Sequence, residues 1–216
     1  MKTNIFTKIF FLLLFSLELF ASIGQVAALR GVGYLERDGI KTLVELGTSI
    51  EKEDVIFTED KTKIQIIFND RTIVTIGKKS QFSIKKYLFA EDELPEVEFS
   101  LTKGIFKSIT GKIGKISPNR FKIKTKTATI GIRGTVFVVK VTDNVTKVGM
   151  IDGSTYFVDN KTLNSYPVTK GQELVYDDSL PVGERLVIKE NYVETSDTII
   201  GNSSQESDDE DSGTDT

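Results

Sequence analysis

Alternating apolar and polar residues recur along most of the chain. In "SQFSIKKYLF", Phe82 and Ile84 alternate with polar neighbours, and "PEVEFSLTKGIF" does the same through Val97, Phe99 and Leu101. Side chains on a strand point to opposite faces in turn, so a period of two predicts strands with one buried face. No comparably strong helical period is present, although residues 190–200 are compatible with a short, weak helix.

Turn-forming pairs separate these segments. The predicted turns are Asp38-Gly39, Asn69-Asp70, Asp143-Asn144 and Asp152-Gly153. An Asp-Gly pair between alternating segments is a strong hairpin signal. Together, the short strands and turns predict an all-β fold, a two-sheet roll or sandwich, with a β-arch or solenoid-like arrangement as the alternative.

The first 21 residues resemble a secretory signal. Lys2 and Lys8 supply the charged start, "IFFLLLFSL" supplies the apolar run, and Ala21 precedes the expected cleavage. The run is short for a bilayer span and Glu18 follows it closely, so we expect cleavage rather than an uncleaved anchor, and no membrane span afterwards. The chain has no cysteine, which excludes a lipoprotein. We therefore expect export to the periplasm or the cell surface.

The end of the chain is acidic. From residue 201 onward it holds six acids, no base and almost no apolar side chain, a composition typical of disorder. The predicted organisation is a signal peptide (1–21), a β domain (22–176), a C-terminal extension (177–200) and a disordered acidic tail (201–216).

Catalytic residue types are scarce. The chain contains neither histidine nor cysteine, so Ser-His-Asp and Cys-His arrangements and the usual zinc sites are excluded. We expect no enzyme activity, no cofactor and no metal. An enzyme built on two carboxylates is the weakest alternative, because any β fold can bring two acids together.

A basic stretch lies in the middle of the chain. Residues 99–142 carry ten Lys or Arg and no acid. In "FKIKTKT", Lys122, Lys124 and Lys126 recur at the strand period and should line one face. This stripe is either a solvated surface or a contact for an acidic protein or an anionic envelope polymer. A further hypothesis is that the acidic tail contacts it; nucleic acid is not expected as a partner of an exported chain.

The stretch "TKTATIGIRGTVFVV" has a strand pattern interrupted by Gly131 and Gly134. Glycines inside a strand indicate a bulge or a corner. The guanidinium of Arg133 offers a fork of donors that would tie a carboxylate at such a corner. The candidate partners are three turn residues, Asp54, Asp70 and Asp152.

The same stretch resembles the signature of the FecR domain family. The matching residues are Thr125, Thr127, Ala128, Arg133, Gly134, Thr135 and Phe137. Lys126 stands where the family usually has proline, and Val136 where it has glutamate. Further family positions are kept at Asp54, Thr58, Asp70 and Ser80, and the resemblance covers about residues 24–176.

The resemblance implies a mostly β envelope domain that acts through protein contacts. The best-known relatives relay an iron-uptake signal across the envelope to a sigma factor, using a cytoplasmic segment, a membrane span and a receptor-contacting part. Because such segments are not evident here, our first interpretation is a stand-alone, non-catalytic exported binding or scaffolding module whose partner is an envelope or surface protein. The alternative is a periplasmic signal-transduction component that works with a separately encoded membrane partner.

Overall fold

The computed structural model describes residues 22–90 and 92–194; 59% of this part is β-strand, and it contains one short α-helix. Its first strands are β1 (Gly24–Arg30), β2 (Gly33–Arg37), β3 (Ile40–Leu43), β4 (Ser49–Ile50), β5 (Val55–Thr58), β6 (Lys63–Phe68), β7 (Ile73–Ile76), β8 (Gln81–Leu88) and β9 (Glu96–Ile109). A short helix α1 (Lys112–Ile116) and a 3-10 turn (Pro118–Arg120) follow. The remaining strands are β10 (Phe121–Lys124), β11 (Ala128–Val141), β12 (Val145–Asp159), β13 (Ser165–Thr169), β14 (Glu173–Asp177) and β15 (Leu186–Lys189). The predicted signal peptide and acidic tail lie outside the described residues.

The β2–β3 hairpin has the predicted two-residue turn. Arg37 pairs with Ile40, and the intervening Asp38 and Gly39 both have positive φ, 53° and 77°. This geometry is that of a type I′ turn, whose twist matches that of the flanking strands. Hairpins also form around Asn69-Asp70 and Asp143-Asn144, as predicted.

Asp152-Gly153 is not a turn, and here the prediction was wrong. Both residues lie inside the 15-residue strand β12, where Gly153 has φ 82° and the pairing with β11 is irregular. Pairing with β11 on both sides of this point keeps the strand continuous, so the glycine forms a bulge instead of reversing the chain.

The strands join into one large mixed sheet, which confirms the all-β prediction. Its main path runs β15-β14-β12-β11-β10-β9-β7-β6-β1-β4, and the branch β3-β2-β5-β8 joins it at β9. Strands β9 and β10 are parallel, whereas β10–β11 and β11–β12 are antiparallel. The long strands β9 and β11 pair with different neighbours along their length, which lets the sheet bend around one core.

Phenylalanine rings occupy the centre of this core. The ring centroid of Phe99 lies 5.1 Å from that of Phe68, 5.2 Å from Phe82 and 5.7 Å from Phe121, and all four side chains are buried. Full burial of such a side chain stabilises the fold by about 1.5–3 kcal/mol. Because the chain has no cysteine and therefore no disulfide, the stability of the domain depends on this core.

The predicted C-terminal extension contributes to the same sheet. Strand β15 pairs with β14, and residues 190–194 continue without helical structure across the sheet. The weak helix expected there is therefore absent from residues 190–194. Among the described residues, no helix has the length and apolarity to cross a membrane.

Candidate functional site

The signature begins with a tight turn between β10 and β11. The N–H of Thr125 donates to the carbonyl of Ala128 at 2.8 Å, and the N–H of Ala128 donates to the Thr125 hydroxyl at 3.0 Å. The hydroxyl of Thr127 lies 2.8 Å from that of Thr146 on β12. All four side chains are buried, so this part of the signature holds the hairpin together.

A corner follows at Gly134, where β11 changes neighbours. Before it, residues 129–131 pair with β10; after it, residues 136–141 pair with β9. Gly134 has φ 55°, a conformation that costs other residues free energy. The predicted bulge is therefore present, and Gly134 supplies the backbone conformation that it needs.

Thr135 and Phe137 fix this corner from the inside. The N–H of Thr135 donates to the Thr110 hydroxyl at 2.8 Å, and the N–H of Thr110 donates to the Thr135 carbonyl at 3.1 Å. Phe137 is fully buried, with its ring centroid 5.9 Å from that of Phe106. Thr135 therefore stabilises the corner by hydrogen bonds, and Phe137 stabilises it by packing in the core.

Gly131 does not have the role in the bulge that was predicted for it. Its φ is not in the left-handed region, and a Cβ built there meets no atom within 4 Å. The bulge therefore does not need a glycine at this position. Instead, Gly131 lies on the outer side of the sheet, next to open space.

Arg133 is exposed and does not tie the corner to a carboxylate. In the described part of the chain, its guanidinium contacts the ring of Tyr156, with the Cζ atom 5.4 Å from the centroid, and forms no salt bridge. The strand period explains this, because Ile132 on one side of it is buried and Arg133 must face outward. The proposed pairing of Arg133 with Asp54, Asp70 or Asp152 was wrong.

Asp54 binds a different arginine. Both of its carboxylate oxygens accept from Arg37, with Nε–Oδ1 at 2.7 Å and Nη2–Oδ2 at 2.8 Å. The N–H of Glu51 donates to Oδ2 at 2.7 Å. The hydrogen bond with Asp54 raises the pKa of Arg37 above its ordinary value. Asp54 is thus a buried anchor between β2 and the start of β5.

Asp70 is also fully buried and joins three segments. The hydroxyl of Tyr87 donates to Oδ1 at 3.1 Å, and that of Thr72 donates to Oδ2 at 2.7 Å. The N–H of Ile113 in α1 donates to Oδ2 at 3.2 Å. Burial, together with the negative charge of Asp70, raises the pKa of Tyr87, which keeps its hydroxyl a donor. Asp152, by contrast, is exposed and pairs with Lys170 at 3.1 Å.

The outside of the sheet places the signature arginine beside the predicted lysine stripe. One row of register partners crosses five strands: Glu98, Lys122, Gly131, Tyr156 and Pro167. Residues paired across strands point to the same face, and so do residues two apart on one strand. We call this surface the signature face, defined by Lys122, Lys124, Gly131, Arg133, Tyr156 and Pro167.

The lysines of the stripe differ in environment. Lys122 is half-buried, and Lys124 is exposed and pairs with Glu98 at 2.9 Å. Lys126 follows β10 in the hairpin turn and is exposed. The long run without acids in the sequence is therefore partly balanced in space, because β9 places Glu98 beside β10.

A second acid, Glu96, lies at the edge of this region. Its carboxylate pairs with Lys86 at 2.8 Å and with Arg120 at 2.5 Å. The hydrogen bond from Lys86, with the charge of Arg120, holds the pKa of Glu96 below its ordinary range despite partial burial. Within the described ranges, Arg133 has no such partner, so it retains an uncompensated charge on the signature face.

Sequence reasoning missed Tyr156. Alternation in "STYFV" assigns Tyr156 to the face opposite the buried Thr155 and Phe157. Counting back from the β11–β12 hairpin then places it opposite Gly131. The irregularities in the two strands offset each other, so this simple count holds on both sides of the bulge.

Comparison with known proteins identifies a domain within the chain. Residues 54–155 match the family model described as FecR protein. The chain contains a FecR domain. No curated protein matches the chain. Strands β1–β4 and β13–β15 lie outside the matched residues but belong to the same sheet, because β1, β2, β13 and β14 pair directly with strands of the FecR domain.

Two crystal structures of a candidate anti-sigma factor from Parabacteroides distasonis share the fold. One has 13% identity and a TM-score of 0.51, and the other 15% identity and a TM-score of 0.50. Each match covers 63% of this chain and 59% of the other, so this chain spans about three-fifths of those proteins. At this level of identity, the similarity shows a shared fold and nothing more.

Proposed function

We propose that this chain is a signal-transduction component that acts by contact with another protein, and that the signature face is the contact surface. The observation that carries this proposal is that the signature residues have two kinds of environment, one buried and one exposed. Its threonines, Gly134 and Phe137 build the corner, whereas Arg133 is exposed on Tyr156. An arginine kept in the signature but not used by the fold is available for a partner.

The chemistry of the signature face suits a protein partner with an acidic surface. Arginine and tyrosine are the residue types that most often dominate binding energy at protein interfaces. Arg133 stacks on Tyr156, and Lys122 lies opposite Gly131, which is itself the register partner of Tyr156. A flat aromatic surface with neighbouring positive charge favours association with a negatively charged patch.

The signalling role rests on the FecR domain and on the fold shared with a candidate anti-sigma factor. Our first interpretation from sequence, an exported scaffolding module, uses the same surface and remains the alternative. The two differ in the identity of the partner: a sigma-factor regulator or membrane receptor for signalling, and a surface protein or exporter for scaffolding.

Location and mode of action are part of the same proposal. We propose export to the periplasm or cell surface, supported by the sequence of residues 1–21, and action without catalysis, supported by the absence of histidine and cysteine from the chain. Cell fractionation with N-terminal sequencing tests the first point, and a mature chain that starts at Ser22 is the expected result.

A photo-crosslinking amino acid at Tyr156 tests the contact surface in living cells. The matched control carries it at Thr42, an exposed residue on β3, on the branch that leaves the main sheet at β9. We expect a specific adduct from position 156 that is absent from position 42, with mass spectrometry identifying a signalling protein. Equal labelling at both positions contradicts the surface, and a surface adhesin or exporter as the adduct favours scaffolding.

A further inference from the structure

A cleft of about 500 Å³ lies on the other half of the outer sheet surface, beyond the corner. Residues 189–193 form one wall, and the outer sides of β11 and β12 form the floor. Four lysines line it, from a turn and three different strands: Lys78, Lys140, Lys147 and Lys189. This cleft is separate from the signature face.

Two of these lysines are direct register partners. Lys140 on β11 is opposite Lys147 on β12, and the row continues through Ile105 on β9 and Val175 on β14. Like charges directly opposite each other destabilise a strand pair. The row supplies no acid to offset this repulsion, so a bound anion would remove an unfavourable interaction.

Two acids in the cleft compensate the four lysines only in part. Glu173 and Glu190 also line it, and Glu190 accepts a hydrogen bond from Gln172 at 2.8 Å. Over residues 22–90 and 92–194, none of the four lysines forms a salt bridge, although six other lysines do. The cleft therefore has excess positive charge in the described structure.

The wall of the cleft is held in place by specific contacts. The ring of Tyr192 lies over Gly149, where a Cβ would meet ring atoms at 2.2 Å. The Tyr192 N–H donates to the Gly171 carbonyl at 2.6 Å, and Glu194 pairs with Lys107 at 2.6 Å. Burial, with the charges of Glu194 and Glu173, raises the pKa of Tyr192 to about 12, so its hydroxyl remains a donor at neutral pH.

We propose that this cleft binds a small oxyanion that carries at least two negative charges, of the pyrophosphate or polycarboxylate type. Lysine ammonium groups are compact charges with three donors each, suited to phosphate and carboxylate oxygens. The floor lysines Lys140 and Lys147 would bind one end of the anion, and Lys78 and Lys189 would neutralise the remainder. A singly charged anion would leave most of the repulsion in place.

Isothermal titration calorimetry with pyrophosphate on the full chain tests this site, with tricarballylate as the carboxylate arm. We expect binding that weakens as salt rises, and a loss of about tenfold or more in Lys140→Gln/Lys147→Gln, because both floor charges are lost. Lys189→Gln should lose less, and Lys85→Gln, an exposed lysine on β8 outside the cleft, should bind within about twofold of wild type.

The outcomes separate clearly. Binding of either anion with this order of variants supports the site, and the better of the two identifies its chemical class. No heat at millimolar concentration of both anions overturns the proposal. Equal weakening by Lys85→Gln and by the double variant also overturns it, since this would mark non-specific attraction.

Discussion

Arg133 and Tyr156 form a cation–π pair on the solvent side of the sheet, with the guanidinium carbon 5.4 Å from the ring centroid. The two residues lie on neighbouring strands, diagonal to each other across the Gly131–Tyr156 register pair. The signature thus has two parts: a buried set that shapes the corner, and an exposed arginine placed beside an aromatic ring.

Replacing Arg133 should therefore leave the fold intact. An exposed cation–π pair contributes about 0.5–1 kcal/mol. We expect Arg133→Ala to lower the free energy of unfolding by no more than about 1 kcal/mol in urea titrations. A loss of several kcal/mol would show that Arg133 ties the corner after all.

The two signature glycines should differ sharply. Gly134 has φ 55°, so Gly134→Ala places an L-residue in the left-handed region and should cost about 1–2 kcal/mol. Gly131→Ala meets open space in an ordinary conformation and should be neutral or should stabilise by up to about 1 kcal/mol. Thermal unfolding of both variants checks this, and equal losses would contradict the account of the corner.

Gly149→Ala should displace the C-terminal segment from the sheet. Its methyl group would collide with the ring of Tyr192, which is held over Gly149 by neighbouring contacts. Once displaced, Tyr192 loses its burial, and its pKa should fall from about 12 towards the ordinary value of about 10. NMR titration of the tyrosine Cζ resonance measures this, with Gly183→Ala, at a site open to solvent, as the control.

Asp159 should contribute to the loss of stability in acid. Burial acts to raise its pKa, but hydrogen bonds from the Lys161 N–H and the Thr162 hydroxyl, both at 2.8 Å, outweigh burial and lower the pKa. A lowered folded-state pKa stabilises the fold fully above the unfolded value of about 3.8, and this contribution is lost as pH falls through the folded pKa.

Urea unfolding between about pH 6 and about pH 3 measures this effect, because this range of pH includes the carboxyl pKa of aspartate in the unfolded chain. Asp159→Asn should be less stable than wild type at the higher pH and should lose less stability on acidification. Asp143→Asn, in the exposed β11–β12 turn, is the control and should follow wild type. An unchanged acid dependence in Asp159→Asn would contradict this role.

Local sequence signals predicted much of the fold. Asp38-Gly39 forms the expected turn because the short strands on both sides of it, β2 and β3, pair with each other directly across it. Asp152-Gly153 has the same dipeptide but lies where β12 pairs with β11 before and after it, so long-range pairing overrides the local preference. A two-residue signal cannot distinguish a turn from a bulge without that register.

The candidate site was harder to predict for the same reason. The sequence identified Arg133 and the lysines separately, and assigned Arg133 an inward partner on chemical grounds alone. Its outward direction follows from the buried Ile132, but its neighbours depend on the pairing of β10, β11 and β12. Likewise, the cleft depends on residues 189–193 crossing the sheet, which no local pattern indicates.

We propose that the signature face binds a partner and that the fold does not depend on Arg133. The most direct measurement is the affinity of the partner crosslinked at position 156 for Arg133→Glu and for Thr42→Glu, each first shown to unfold like wild type. We expect a loss of about tenfold or more for Arg133→Glu, since charge reversal opposes an acidic surface, and less than about twofold for Thr42→Glu. Wild-type affinity in Arg133→Glu would contradict it.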